Sequence, residues 1–403
     1  MASTGPSQLN SSSQAAAVLS RSAAVLSRSA AVLSRSAVTL GEHLSRQLSG
    51  VCGAVGVSPP DGGSTRSLLD LLGPAAQRPL AAGPPSPSFV SDDHSPAEFS
   101  VSFPAGAAPT VRVVVEPGCA AASFTESGRV GRRALDALAA RWSFSTEPVH
   151  GVEDLFFPAA ARGPFALWCA MDLRRDRAPG VKVYVNPACH GRRLSAQVTE
   201  EALARFGFGR AWPALLEHAA PRGPESDEFL FFAMDVGDWQ TRRVKVYVAH
   251  RGFSATGAQA VSRLLPGGCA QRVGEFCRTV GDAEFFDRRP LVSCLSFTEW
   301  DMERPSGYTL HVPVRDYAGD DRVTGKRAAT VLRRHGMDAG ALDRALAAMT
   351  HRDPADGVGL ISYVSLVQST RQPPRLTVYL SPEAYEVRPP QEPAPPLADA
   401  DRQ

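Results

Sequence analysis

Along this chain the hydrophobic positions repeatedly switch period, from two residues to between three and four and back again. Runs of period two occur as five close pairs: AEFSVSF with TVRVVVEP, FALWCAMDL with GVKVYVNP, EFLFFAMDV with RRVKVYVAH, VSCLSFTEWDM with YTLHVPV, and GLISYVSLV with RLTVYL. Each pair is close enough in sequence to form a hairpin, and the β-branched and aromatic residues suit pleated strands. The intervening stretches GRVGRRALDALAARW, SAQVTEEALARFG with AWPALLEHAA, TGAQAVSRLL with AQRVGEFCRTV, and TGKRAATVLRRH with GALDRALAAM carry apolar residues at helical spacing. GEHLSRQLSGVCGAV and STRSLLDLLGPAA supply a further helical segment before the first hairpin. Ten strands in hairpins leave two unpaired edges unless the sheet closes, so the pattern predicts an α+β fold: a closed ten-stranded antiparallel barrel with helices as its outer layer. A pair of smaller α+β domains is the competing architecture.

Alternation also sorts the strand residues by face. Val181, Val183 and Val185 share one side of their strand and Lys182 and Tyr184 the other. The same division recurs with Val244, Val246 and Val248 against Arg243, Lys245 and Tyr247, with Val111, Val113 and Val115 against Arg112, and with Leu376, Val378 and Leu380 against Thr377 and Tyr379. The apolar faces need cover, which the helices provide. The polar faces then look either into solvent, as on many antiparallel sheets, or into the barrel. If the barrel closes, Arg112, Lys182, Arg243 and Lys245 converge, and a cluster of enclosed cations needs an anion to offset repulsion and desolvation. Tyr184, Tyr247 and Tyr379 lie on that cationic side, where their ring faces could shelter a positively charged species. Singly, each reads first as a packing residue; it is their repeated placement on the cationic face that points to the other role.

The chain ends read differently. Residues 1–40 contain AAVLSRS three times, from Ala16, Ala23 and Ala30, and form a low-complexity extension too rich in Ser and Ala for a robust helix. The barrel domain is expected over 41–387, and the Pro-rich residues 388–403 form a flexible tail.

Composition narrows the chemistry. At 403 residues with 43% hydrophobic content, a large core is available. The formal charge of +2, from 43 basic and 41 acidic residues, gives no global field to recruit nucleic acid or membrane, so an anion site must be local. The seven cysteines include no CxxC pair, no apolar run is long enough to span a bilayer, and a reduced cytoplasmic protein is expected. No GxxxxGK[ST] occurs, and GFGRAW lacks the full dinucleotide fingerprint. Asp92 and Asp93 are followed by HSP rather than further acidic residues, which argues against an aspartate-rich magnesium clamp. A metal-free site for a phosphate ester, built on Arg forks and Lys charges, fits better.

Taken in order, SDDHSPAEFS, VRVVVEP, VKVYVNP, RRVKVYV, HVPVRDY and LTVYLSPEAY resemble the aromatic prenyltransferases of the dimethylallyltryptophan synthase type, over roughly Ser88 to Glu386. No one of these motifs is specific; their order and spacing are. The resemblance implies a barrel of repeated ααββ units, the ABBA prenyltransferase barrel, with dimethylallyl diphosphate as co-substrate and no metal or other cofactor required. It implies that Glu98 orients the indole N–H, that Arg112, Lys182, Arg243 and Lys245 bind diphosphate, and that Tyr184, Tyr247 and Tyr379 shield the allylic cation. The chain departs from the pattern at His311, where the family commonly has a tyrosine, with Thr309 two residues earlier, and FALWCAMDL lacks a lysine found in some members. Thr309, His311 and Thr377 join the site as secondary candidates. Arg315 and Tyr317 of PVRDY either reach the phosphate end or serve as a structural ion pair and a packed ring.

The expected activity is dimethylallyl transfer to the indole of tryptophan or a derivative. Alternatives are another aromatic acceptor (a phenol, a naphthalene or a cyclic dipeptide) and a non-catalytic binder of isoprenoid diphosphates. The expected partners are therefore two small molecules, with neither nucleic acid nor membrane. Oligomeric state is not legible. Without the resemblance, Glu98 reads equally as a salt-bridged loop carboxylate. His311, Cys189 and His190 read as local structure, and Trp142, Trp168, Trp239 and Trp300 mainly as core, with the face of Trp168 left open.

Overall fold

The computed structural model describes residues 38–57, 63–175, 178–236 and 242–391. The AAVLSRS repeats, Trp239 and most of the C-terminal tail lie outside these residues. Ten strands form one closed barrel: β1 (Ala97–Pro104), β2 (Thr110–Val115), β3 (Leu167–Leu173), β4 (Gly180–Val185), β5 (Asp227–Val236), β6 (Arg243–His250), β7 (Leu291–Thr298), β8 (Gly307–Val312), β9 (Ile361–Ser369) and β10 (Arg375–Leu380). Every strand pairs antiparallel with its sequence neighbour, and β10 closes the ring on β1 with Phe99 opposite Leu380 and Pro104 opposite Arg375. Closure satisfies the edges and removes the two-domain alternative. All five hairpin turns gather at one rim of the barrel and all helical connections start and end at the other.

The helices form in pairs before each hairpin. They are α1 (Leu40–Ala54) with α2 (Gly63–Leu72), α3 (Phe124–Trp142) followed by two single turns, α4 (Ser195–Arg205) with α5 (Trp212–Ala219), α6 (Ala255–Ser262) with α7 (Ala270–Gly281), and α8 (Asp321–Arg334) with α9 (Ala339–Met349). The architecture is thus the repeated ααββ barrel expected. Local signals set the helix starts. Thr39 caps α1 in a reciprocal box with Glu42, at 3.2 and 2.9 Å, and Asp320 and Asp338 accept from backbone N–H groups at the starts of α8 and α9. Leu40, Leu44, Leu48 and Val51 then present one stripe of α1 to the core, where α1 packs against α9 and closes the helical ring.

The outward strand residues, among them Phe99, Val101, Val113, Val183, Val246, Leu310 and Val378, are buried with the helical stripes in one apolar cluster. Each such Val, Leu or Phe side chain contributes about 1.5–3 kcal/mol by leaving water. This layer fixes the barrel from outside and leaves its lumen free for polar residues.

One buried polar junction ties the two layers together. Asp321, 1% exposed at the start of α8, accepts hydrogen bonds from the backbone N–H groups of Gly359, Leu360 and Ile361, each at 3.1 Å, and pairs with Arg352, which also pairs with Glu383. Asp321→Ala leaves three donors and a guanidinium short of an acceptor, and is expected to cost about 3–5 kcal/mol. Urea unfolding of the variant at an unchanged midpoint would contradict this account.

The tryptophans divide. Trp142 is half-buried against the core and Trp168 faces the lumen, but Trp300 is 58% exposed on the β7–β8 turn with the Arg371 guanidinium 4.1 Å from its ring centre. A hairpin-rim turn has no helix beyond it to cover a ring, so Trp300 is not a core residue. Cys189 Sγ and His190 Nε2 both meet the Leu155 carbonyl oxygen, at 3.4 and 3.0 Å, as local structure. Among the described residues no helix is long and apolar enough to cross a membrane.

Candidate active site

Period two carries Arg112, Lys182, Arg243 and Lys245 into the lumen on β2, β4 and β6, as Arg375 is carried on β10. Arg243, Lys245 and Arg375 line a cavity of about 380 Å³ toward the hairpin rim, whose wall also includes Asp235, Thr298, Gln368, Arg174 and Arg371, and Arg112 and Lys182 lie beside it. Two carboxylates stand among the cations. Arg112 donates to Asp172 through Nε at 2.6 Å and Nη2 at 3.1 Å. Lys182, 1% exposed, lies 3.2 Å from Asp235, which also pairs with Arg243. Both pairs join residues directly opposite on neighbouring strands. Burial pushes the Lys245 ammonium down to about 7, with Lys182, Arg243 and Arg112 adding repulsion. Burial likewise lowers Lys182, against the pull of Asp235.

Midway along the lumen the cations give way to rings. Tyr184 and Tyr247 lie 5.8 Å apart between centroids, Tyr247 and His311 5.9 Å, and His311 and Tyr379 5.4 Å. Trp168 joins at 6.5 Å from Tyr184 and is stacked on Phe165 at 4.2 Å, while Phe231 lies 5.6 Å from Tyr247 and Tyr363 lies 6.4 Å from Tyr379. The result is a belt of π faces immediately beside the cation chamber.

Beyond this belt a second cavity, of about 410 Å³, opens toward the helix rim, lined by Glu98, Trp168, Phe231, His311, Tyr363 and Arg289 among others. Glu98 is partly buried on β1 and accepts a hydrogen bond from Ser362 Oγ at 2.7 Å. Burial pushes its carboxyl up to about 8, and Asp92 and Asp93 reinforce this, against Ser362 and Arg289. His311 is held neutral, its pKa driven down to about 3 by burial and by Lys245 and Arg112. The His311 Nε2 and Trp168 Nε1 atoms are buried without a hydrogen-bond partner among the described residues. Such groups are free to meet a polar atom of an incoming molecule.

Thr309 is buried in the lumen wall between Cys294 and Val367, and Thr377 donates to Ser102 Oγ at 3.1 Å. Arg315 and Tyr317 do not reach the cation chamber. They follow β8 at the helix rim, where Arg315 pairs with Asp92 and the Tyr317 hydroxyl accepts from the backbone N–H groups of Arg288 and Arg289 at 2.9 and 3.1 Å. An antiparallel strand must deliver its following residues to the rim opposite its start, and β8 starts at the hairpin rim. Asp92 also binds Arg289 at 2.7 Å, and Asp93 accepts from Ser95 Oγ at 2.7 Å, so both acids are committed to protein partners. Among the described residues no group of three His, Cys, Asp or Glu side chains is placed to hold a metal.

Several lining residues were missed in the sequence reading. Asp172 and Arg375 were available from period two, sharing faces with Trp168 and with Tyr379. Phe231 and Tyr363 were available too, sharing faces with Ala233 and Asp235 and with Ser365 and Val367; the β-bulges between Phe229 and Phe231 and between Ile361 and Val364 break the alternation only before them, placing Phe229 and Ile361 in the outer cluster.

The family model described as tryptophan dimethylallyltransferase matches residues 65–344. Among solved structures, the chain is similar to prenyltransferase PriB in ternary complex with L-tryptophan and dimethylallyl thiolodiphosphate, at 48% identity over 89% of this chain and 100% of that chain, with TM-score 0.83. It is similar to 5-dimethylallyl tryptophan synthase from Streptomyces coelicolor in complex with DMASPP and Trp, at 47% identity over 89% and 99% of the two chains, TM-score 0.81. The 6-dimethylallyltryptophan synthase from Micromonospora olivasterospora, in complex with DMASPP and Trp, follows at 39% identity over 88% and 100%, TM-score 0.83.

Proposed function

Because the chain belongs to the tryptophan dimethylallyltransferase family, we propose that it transfers a dimethylallyl group from dimethylallyl diphosphate to the indole ring of tryptophan. The observation that carries the reading is the order of the lumen: cations, then π faces, then a buried carboxyl, within one closed barrel.

Diphosphate occupies the chamber of Arg112, Lys182, Arg243, Lys245 and Arg375. Heterolysis of the allylic C–O bond leaves its electron pair on diphosphate, where these prepositioned donors stabilise the new charge. The allyl cation lies against Tyr184, Tyr247 and Tyr379, and the surrounding aromatic wall excludes water that would quench it. An indole ring bounded by Trp168 and Phe231 attacks, forming the new C–C bond. Glu98 accepts the indole N–H and stabilises the positive charge spread over the ring, and loss of the ring proton restores aromaticity. A water or the open ring nitrogen of His311 receives that proton, His311 becoming the better base once bound diphosphate offsets Lys245 and Arg112.

The test is incubation of the purified full chain with L-tryptophan and dimethylallyl diphosphate in excess EDTA, with products identified by mass and NMR. A single ring-prenylated tryptophan is expected at an undiminished rate. Product only from a phenol, naphthalene or cyclic dipeptide would move the acceptor assignment, and loss of turnover in EDTA would overturn metal independence.

A further inference from the structure

The donor chamber holds its own anions. Arg243, Lys245 and Arg375 line it, Arg112 and Lys182 lie beside it, and two carboxylates are paired with these cations, Asp172 with Arg112 and Asp235 with Lys182 and Arg243. The geometry around Asp235 is that of an incomplete site. It forms part of the cavity wall, yet Asp235 Oδ1, Lys182 Nζ, Arg243 Nε and Thr298 Oγ1 are all buried with no aligned hydrogen-bond partner among the described residues. A structural ion pair of this burial would normally satisfy those atoms internally.

We propose that Asp172 and Asp235 are built-in counter-anions that hold the donor-binding cations charged and in place while the barrel is empty, and that weaken its grip on diphosphate enough for the product to leave. The proposal rests on the donor-chamber reading above. Both carboxylates lower the net positive charge of the chamber, whose wall also carries Arg174 and Arg371, so that less of it is left for an anionic diphosphate ester to neutralise. Without either carboxylate one more positive charge is left to attract the ligand, and the gain falls chiefly on the more highly charged diphosphate left after C–O cleavage. Asp172 and Asp235 are therefore positioning residues acting through Arg112, Lys182 and Arg243, and touch neither reacting carbon.

The two carboxylates differ in what they hold. Arg112 keeps its charge at every accessible pH, whereas Lys182 can shed a proton into water when its partner is removed. Lys182 is surrounded by Asp235, Asp172, Arg112, Arg243 and Lys245, and burial alone already works against its charge. Lys245 meets Lys182, Arg243, Arg112 and Cys294.

Calorimetric titration with inorganic diphosphate, from pH 6 to 9 and in two buffers of different ionisation heat, separates the roles. Asp172→Asn is expected to bind diphosphate about tenfold tighter at every pH, the effect of deleting one like-signed charge nearby. Asp235→Asn is expected to bind about tenfold tighter at pH 6, to lose that advantage by pH 9, and to take up more protons on binding than the wild type. Affinities no tighter than wild type at pH 6, with thermal unfolding intact, would overturn the proposal. Should Asp235→Asn fail to fold, Asp172→Asn carries the decision alone. Failure of the wild type itself to bind diphosphate would instead overturn the donor-chamber reading.

Discussion

Glu98→Gln is expected to lower kcat by about a hundredfold to ten-thousandfold, the usual range for a lost acid–base partner, while the protein folds normally. The amide keeps the shape and the Ser362 contact, 2.7 Å in the native protein, but cannot carry the negative charge that balances a cationic ring. The pH dependence should change as well. With its pKa raised to about 8, Glu98 is largely protonated in the empty barrel near neutrality, so wild-type kcat/KM should climb as pH rises through about 8, and the residual kcat/KM of the glutamine variant should lack that rise. Stability runs the other way. Between the ordinary carboxyl value of 4.5 and about 8, the folded protein retains a proton that the unfolded chain releases, so wild-type stability falls as pH rises across that window. The variant, neutral throughout, should lose this part of the pH dependence and melt above the wild type at pH 9. Full turnover in Glu98→Gln would remove the carboxylate from the reaction.

Lys182→Met should act at the other end of the lumen. The side chain is similar in length and enters a site only 1% exposed; removing one partner of a buried pair costs about 3–5 kcal/mol when the other charge is left alone, and less where a second partner remains, so folding is checked by thermal unfolding alongside. Asp235 keeps Arg243 as a partner. The charge aimed at the leaving diphosphate is gone, however, and kcat/KM for dimethylallyl diphosphate should fall by about a hundredfold to a thousandfold, as when one donor is removed from a site that stabilises developing anionic charge. Affinity for tryptophan in the absence of donor should be unaffected, because the acceptor cavity begins beyond the tyrosine belt. A variant within threefold of wild type in kcat/KM would show that Lys182 only supports the wall.

Together these substitutions divide the reaction between the two halves of the barrel. One affects departure of the anion and the other the charge on the ring, and the tyrosines and His311 lie between them. The pH response also differs by location. Burial raises an acid at the acceptor end and lowers Lys245 to about 7 at the donor end, so both groups change charge close to neutrality for the same dielectric reason.

What the amino-acid order determined alone was periodicity and pairing. Alternation placed Lys182 with Tyr184, and Lys245 with Tyr247, on faces opposite the valines, and short spacing paired the strands, because a pleated chain has no other way to arrange neighbouring side chains. From that came the barrel and the convergence of Arg112, Lys182, Arg243 and Lys245. Tertiary structure alone decided which atoms meet. The bulges in β5 and β9 placed Phe229 and Ile361 in the outer cluster against the simple alternation, and strand direction sent Arg315 to the rim far from the cation chamber. Closure set Asp235 between Lys182 and Arg243, and gave Glu98 its raised pKa. Those outcomes depend on distance through space and on exclusion of water, and neither quantity is a function of separation along the chain.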